Sequence, residues 1–100
     1  MLGAGGVLAE ILGDTAVRVA PVDLAGARGM IAEVRISRAL TGYRGRAAGD
    51  LDAVARAVVA LSQLAHCPAV AEAEINPLLI GAEGEGGLAL DALVIPSAQP

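Results

Sequence analysis

One hundred residues, 55% of them hydrophobic, make one domain at most, or part of a larger one. A net charge of −4, with no lysine and seven arginines scattered from Arg18 to Arg56, excludes the positive stripe on which nucleic-acid binding relies. The apolar runs are well short of the roughly 20 residues that cross a bilayer, which excludes a membrane-spanning helix.

Tyr43 is the only aromatic residue. The core must be built from Ala, Val, Leu and Ile, which bury less area per residue than aromatic rings. At this size the ratio of surface to volume is unfavourable, so the chain is expected to rest against other domains or subunits. Cys67 is the single cysteine. It permits no internal disulfide and fits a reducing, cytoplasmic compartment. The opening residues lack the basic segment of a secretory signal and read as a cut point inside a longer protein.

Gly3 to Gly6 predict a flexible, turn-forming start. Residues 7–12 then read as a strand, 13–15 as a turn, and 16–20 as a second strand that Pro21 ends, because proline cannot donate to a ladder. In that hairpin Glu10 lies near Arg18, as a cross-strand ion pair or as a ligand-facing residue. Asp23 is an N-cap for a helix from about Leu24 to Arg35. Its Leu24, Ala27, Ile31 and Val34 share one side, and its Gly26 and Gly29 each weaken it by about 1 kcal/mol relative to alanine. Residues 37–49 form a loop with Arg38, Arg44 and Arg46, either solvated or in contact with phosphate or carboxylate. Asp50 caps a second helix from Leu51 to about Ala65, with Val54, Val58, Leu61 and Ala65 as its apolar stripe. His66, at its end, complements the negative pole of the helix.

Two strand-like runs, 72–80 and 87–95, flank the polar, glycine-containing loop 81–86, which is the pattern of a β-hairpin. A loop symmetric about its middle sets Leu79 opposite Leu88, Pro77 opposite Leu90 and Asn76 opposite Asp91. Opposed residues project to one face, and Glu74 joins them by the two-residue period. Two carboxylates and an amide oxygen are then gathered on one patch, the donor type that Mg²⁺ prefers and completes with phosphate oxygens. A slip of one residue would send Asp91 to the other face. Acids on an exposed strand face can also simply keep an edge soluble. The element order β-β-α-α-β-β predicts an α+β fold, an antiparallel sheet with two helices on one face.

The segments EINPL at 74–78 and ALDA at 89–92 resemble the end of an ATP-grasp domain. The resemblance is strongest to ADP-forming acyl-CoA (acetyl-CoA) synthetases, relatives of the succinyl-CoA synthetase β subunit. GAGGVLAE at 3–10, DTAVRVAP at 14–21 and LTGYRG at 40–45 match that family in order. The resemblance implies the C-terminal lobe of such a domain over residues 1–100, with ATP or ADP and Mg²⁺ as cofactors. By motif position it implies Asn76 and Asp91 as metal ligands with Glu74 beside them. Arg18 and Glu10 are the candidate nucleotide contacts. The implied reaction is acyl-CoA, ADP and phosphate giving acid, CoA and ATP. The family's first lobe, its CoA-binding domains or subunits and its phosphohistidine motif have no counterpart here, so the chain is expected to be inactive alone and His66 inherits no role. Two further readings are an ATP-grasp lobe fused to a protein lysine acetyltransferase and a non-catalytic interaction module.

Overall fold

The computed structural model describes residues 1–5, 13–35 and 48–98. In chain order its elements are β1 (Leu2–Gly3), β2 (Thr15–Ala16), α1 (Leu24–Glu33) and α2 (Leu51–Ser62), which continues as a 3₁₀ turn (Gln63–His66). Then come β3 (Val70–Ile75), β4 (Leu78–Ile80), β5 (Gly87–Ala89) and β6 (Ala92–Pro96). The class is α+β with antiparallel strands, as the sequence predicts, but among the described residues the strands form three two-stranded pairs instead of one sheet. Among the described residues no helix is long and apolar enough to cross a membrane.

The N-terminal hairpin departs from expectation. The strand expected over 7–12 lies outside the described residues, as does most of the arginine-bearing loop. Gly3, expected in a flexible turn, instead pairs with Thr15, and Leu2 before it pairs with Ala16. The reason is burial: Leu2 packs against both apolar clusters of the core. The second strand stops at Ala16 rather than Ala20, and Val17 and Val19 beyond it are exposed.

Both helices start where their caps predict. Asp23 Oδ1 accepts the Gly26 N–H at 2.7 Å, and Asp50 Oδ1 accepts the Ala53 N–H at 3.0 Å. These bonds satisfy backbone donors that the first turn of a helix leaves without partners. Helix α1 ends at Glu33, two residues early, because the Arg35 N–H is taken by Asp14 Oδ1 at 2.7 Å. Helix α2 tightens after Ser62. The Ser62 hydroxyl donates to the Val59 carbonyl at 2.8 Å and accepts the Val22 N–H at 3.0 Å. That pins the lead-in to α1 against the end of α2.

The core lies between the helices and the first strand pair. Ala27, Ile31, Val54 and Ala55 form one buried cluster, with Val22, Leu51, Val58 and Ile80 packed around it. Ala16, Met30 and Val34 form the other. Ala27, Ile31, Val34 and Val54 come from the predicted stripes, whereas Leu24 is 42% exposed at the edge of the helix pair. Met30 and Ala55 are buried although neither stripe includes them.

The C-terminal half is one long antiparallel pairing. Strand β3 pairs with β6 through Glu74↔Leu93 and Ile75↔Ala92, and β4 pairs with β5 through Leu78↔Ala89, Leu79↔Leu88 and Ile80↔Gly87. From Glu72↔Ile95 to Ile80↔Gly87 both ladders keep one register, the one expected from a symmetric loop; beyond it a bulge between Val70 and Glu72 shifts the pairing to Val70↔Pro96.

The two kinds of apolar position predict opposite outcomes for truncation. Ile31→Ala removes a side chain that is 7% exposed and should lower unfolding free energy by about 2–4 kcal/mol. Leu79→Ala removes one that is 56% exposed and should change it by less than about 0.5 kcal/mol. Urea unfolding of the two variants checks the ranking; equal losses would contradict a core placed between the helices.

Candidate functional site

The site is built outward from the hairpin loop. Gly84 and Gly86 have φ of 85° and 80°, a left-handed backbone that glycine adopts without steric cost. The loop closes through the Gly81 N–H to the Gly86 carbonyl at 2.9 Å and the Glu85 N–H to the Ala82 carbonyl at 2.8 Å. It is also tied to the start of α2. The Asp50 N–H donates to the Gly81 carbonyl at 3.0 Å, and the Glu83 N–H donates to the Ala48 carbonyl at 2.8 Å. Asp50 Oδ2 accepts the Gly86 N–H at 2.8 Å while Oδ1 caps the helix. Asp50 is 5% exposed. The Ala53 N–H first, and then the Gly86 N–H, hold its carboxyl below the ordinary value, against the opposing effect of burial.

Midway along the hairpin, between its two ladders, stand the predicted ligands. The Asn76 N–H donates to the Asp91 carbonyl at 3.0 Å, and the Leu90 N–H donates to the Pro77 carbonyl at 3.0 Å. The structure therefore opposes Asn76 to Asp91 and Pro77 to Leu90, as the symmetric loop requires. Asp91 Oδ1 also accepts the Ala92 N–H at 2.9 Å. Glu74 lies on the next rung of the same face, opposite Leu93. All three polar residues are exposed. That face carries Glu72, Glu74 and Asn76 along one strand and Asp91, Leu93 and Ile95 along the other. It is acidic on one side and aliphatic on the other.

The donor set suits a hard cation. It is all oxygen, two carboxylates and an amide, and it is open to solvent. Among the described residues no group of three or more His, Cys, Asp or Glu is placed to hold a metal by its own ligands. A cation here would need oxygen ligands from a second molecule, which is how Mg²⁺ is commonly held on phosphates.

The remaining predicted residues are not gathered at this patch. Glu10, like Arg38, Arg44 and Arg46, lies outside the described residues. Arg18 forms an ion pair with Glu33 on α1, and its Nη1 donates to the Val17 carbonyl at 2.8 Å. The reason is placement: Arg18 follows the end of β2, beside the helix, and Gly29 leaves room there, with Arg18 Nη2 3.8 Å from where a Cβ would stand. His66 lies in the 3₁₀ turn and Cys67 follows it. A shallow groove between the end of α2 and β3 is lined by Ala20, Leu61, Ala65, Val70 and Ala73. It sits at the opposite end of β3 from Asn76 and brings no cluster of polar groups.

Sequence reasoning missed two residues that shape the site's surroundings. Asp50 was legible as a cap, but its second oxygen reaches a loop 36 residues away, which no local pattern encodes. Asp14 is 4% exposed and holds the Arg35 backbone. Its place in a turn cluster gave only a turn signal.

Residues 1–95 match the family model of the ATP-grasp domain. The chain belongs to that family. It is 33% identical over 97 residues to the β subunit of the ADP-forming acetate–CoA ligase II of Pyrococcus furiosus, covering 95% of this chain and 41% of that subunit. It is 38% identical over 96 residues to a trans-feruloyl-CoA synthase from an unknown prokaryotic organism, covering 95% of this chain and 14% of that protein. Among solved structures it superposes at a TM-score of 0.84 and 32% identity on an acetyl-coenzyme A synthetase of Ca. Korarchaeum cryptofilum. That enzyme was solved with coenzyme A and Mg-AMPPCP, and the match covers 95% of this chain and 44% of that one. This ATP-grasp chain thus spans less than half the length of the relatives it matches.

Asp50 makes the fold sensitive to acid. Its folded-state value lies below the ordinary 3.8 that it regains on unfolding. Its stabilisation is complete above that value and is lost as pH falls through the lower folded one. Asp50→Asn should be less stable than the parent at neutral pH, and the gap should close between about pH 5 and pH 2. Urea midpoints measured across that range check this; a gap independent of pH would contradict it.

Proposed function

We propose that this chain is the C-terminal lobe of the ATP-grasp unit of an ADP-forming acyl-CoA synthetase. There it helps to convert acyl-CoA, ADP and phosphate reversibly into acid, CoA and ATP. The observation that carries the reading is the opposition of Asn76 to Asp91 on the exposed face of the hairpin, in a chain whose relatives are ADP-forming ligases. Those relatives also favour this reading over a lysine acetyltransferase fusion or a free interaction module.

In this role Asn76 and Asp91, with Glu74 beside them, would hold Mg²⁺. Mg²⁺ held there would supply neutralisation of charge that develops during phosphoryl transfer. The residues of the chain orient it. Asp91 is steadied by the Ala92 N–H, and the backbone bond to Asp91 fixes Asn76 opposite it. Leu93 and Ile95 lie on the same face and would give the nucleotide a wall that excludes water. Arg18 is a second candidate phosphate contact; to serve as one it must leave Glu33. Glu10 completes the proposed nucleotide set.

The chain matches no more than about two fifths of the curated relatives named above. The partners that would complete the site are a first ATP-grasp lobe and CoA-binding domains or subunits, working together in the cytoplasm. The exposed Leu93, Val94 and Ile95 support such a setting, since strands of this kind are normally covered.

The test uses the complete nucleotide-binding unit, this lobe joined with its first lobe. Asn76→Ala and Asp91→Ala should each raise the Mg²⁺ concentration needed for half-maximal ATP formation by about tenfold, the equivalent of one charge-assisted contact. Unchanged Mg²⁺ dependence in both variants would sink the metal-site reading.

A further inference from the structure

We infer, on the strength of the magnesium site proposed above, that Asp50 is a positioning residue for that site. It locks the far end of the metal-bearing hairpin to the helix layer. Its two oxygens serve different elements. Oδ1 accepts the Ala53 N–H at 3.0 Å and belongs to α2, while Oδ2 accepts the Gly86 N–H at 2.8 Å and belongs to the hairpin. Its own N–H holds the Gly81 carbonyl at 3.0 Å, the other side of the same loop. One residue thus grips both strands of the hairpin where they meet. The Glu83 N–H to the Ala48 carbonyl and the bridge between Gly49 and Ala82 flank that grip.

Its root is held where β3 packs on the 3₁₀ turn after α2; its loop half has little else to hold it. Leu79, Leu88 and Leu90 are each more than half exposed. Ile80 is the hairpin residue that reaches the helix core. A two-stranded ribbon is marginally stable alone, so its direction is set where it is anchored. Asn76 and Asp91 sit at the other end of the same ladder, in register with the anchored loop. Release of the loop would leave the ribbon held at Ile80 and at the root of β3, and would let the ligand pair between them shift relative to the rest of the nucleotide unit.

The two oxygens can be separated by substitution. Asp50→Ser keeps a good helix cap but is too short to reach the Gly86 N–H. Asp50→Ala removes both contacts. In the complete nucleotide-binding unit, Asp50→Ser should raise the half-saturating Mg²⁺ concentration about tenfold, the lower end of what support groups around metal ligands contribute. Maximal turnover at saturating Mg²⁺ should stay within about twofold of the parent, because no reacting group has changed. Amide hydrogen exchange should quicken at Gly86 while the first turn of α2 stays protected. Should Asp50→Ala fail to fold, Asp50→Ser carries the test by itself. If exchange at Gly86 quickens in Asp50→Ser and Mg²⁺ dependence stays that of the parent, the positioning role is overturned. That outcome differs from failure of the metal site itself, in which Asn76→Ala and Asp91→Ala would also leave Mg²⁺ dependence unchanged.

Discussion

The bond from the Gly81 N–H to the Gly86 carbonyl fixes how the C-terminal half of this protein is organised. It closes a loop of even length, and the pairing that leaves it is symmetric. Each later rung follows from that closure: Ile80 with Gly87, Leu79 with Leu88, Pro77 with Leu90, Asn76 with Asp91, Glu74 with Leu93. Side chains alternate between faces with a period of two, so a slip of one residue would exchange every inward and outward position. The candidate site exists only in one register. Two features protect it. Gly84 and Gly86 supply the left-handed backbone that the loop needs, and the Asp50 side chain accepts the Gly86 N–H from outside the hairpin.

The core explains why this control has to be exercised by hydrogen bonds. Without Phe or Trp, the chain packs Ala27 and Ala55 where the helices meet. Small residues let the helices approach closely but bury little area. The hairpin adds mainly Ile80 to that core, so packing alone gives it weak direction. Polar contacts at Asp50, Ser62 and Asp14 do the joining instead. Each accepts a backbone N–H, part-buried in every case, at a place where one element meets another.

That division marks what the sequence made legible. The helices could be placed because Asp23 and Asp50 are strong caps followed by apolar stripes, both local signals. The register could be placed because glycines and flanking aliphatics define the loop. The ends of the elements were harder. Helix α1 stops early because Asp14 competes for the Arg35 N–H from 21 residues away. Leu2 gave no strand signal because it stands beside the glycine-rich segment that starts at Gly3, yet the core claims it. Arg18 was expected near Glu10, which lies outside the described residues, and its ion pair with Glu33 on α1 had no local signal. At the candidate site, the opposition of Asn76 to Asp91 was legible from pairing. The clasp that steadies it was not, since one carboxylate serving two elements leaves no periodic trace.

The exposed face of the hairpin follows from the same physics. Leu93 and Ile95 stand beside Glu74 and Asp91, a mixture that a self-contained protein has little reason to keep in water. Burying the aliphatic side alone would desolvate the acids and cost several kcal/mol unless they were paired. Leaving it all exposed forgoes the gain from the aliphatic surface. A partner that brings a cation with its phosphates to the acids, and apolar surface to the leucine and isoleucine, resolves both demands at once. The magnesium nucleotide and second lobe proposed above would meet that description, and would account for acids and aliphatics sharing one face instead of being sorted to opposite sides of the strand pair.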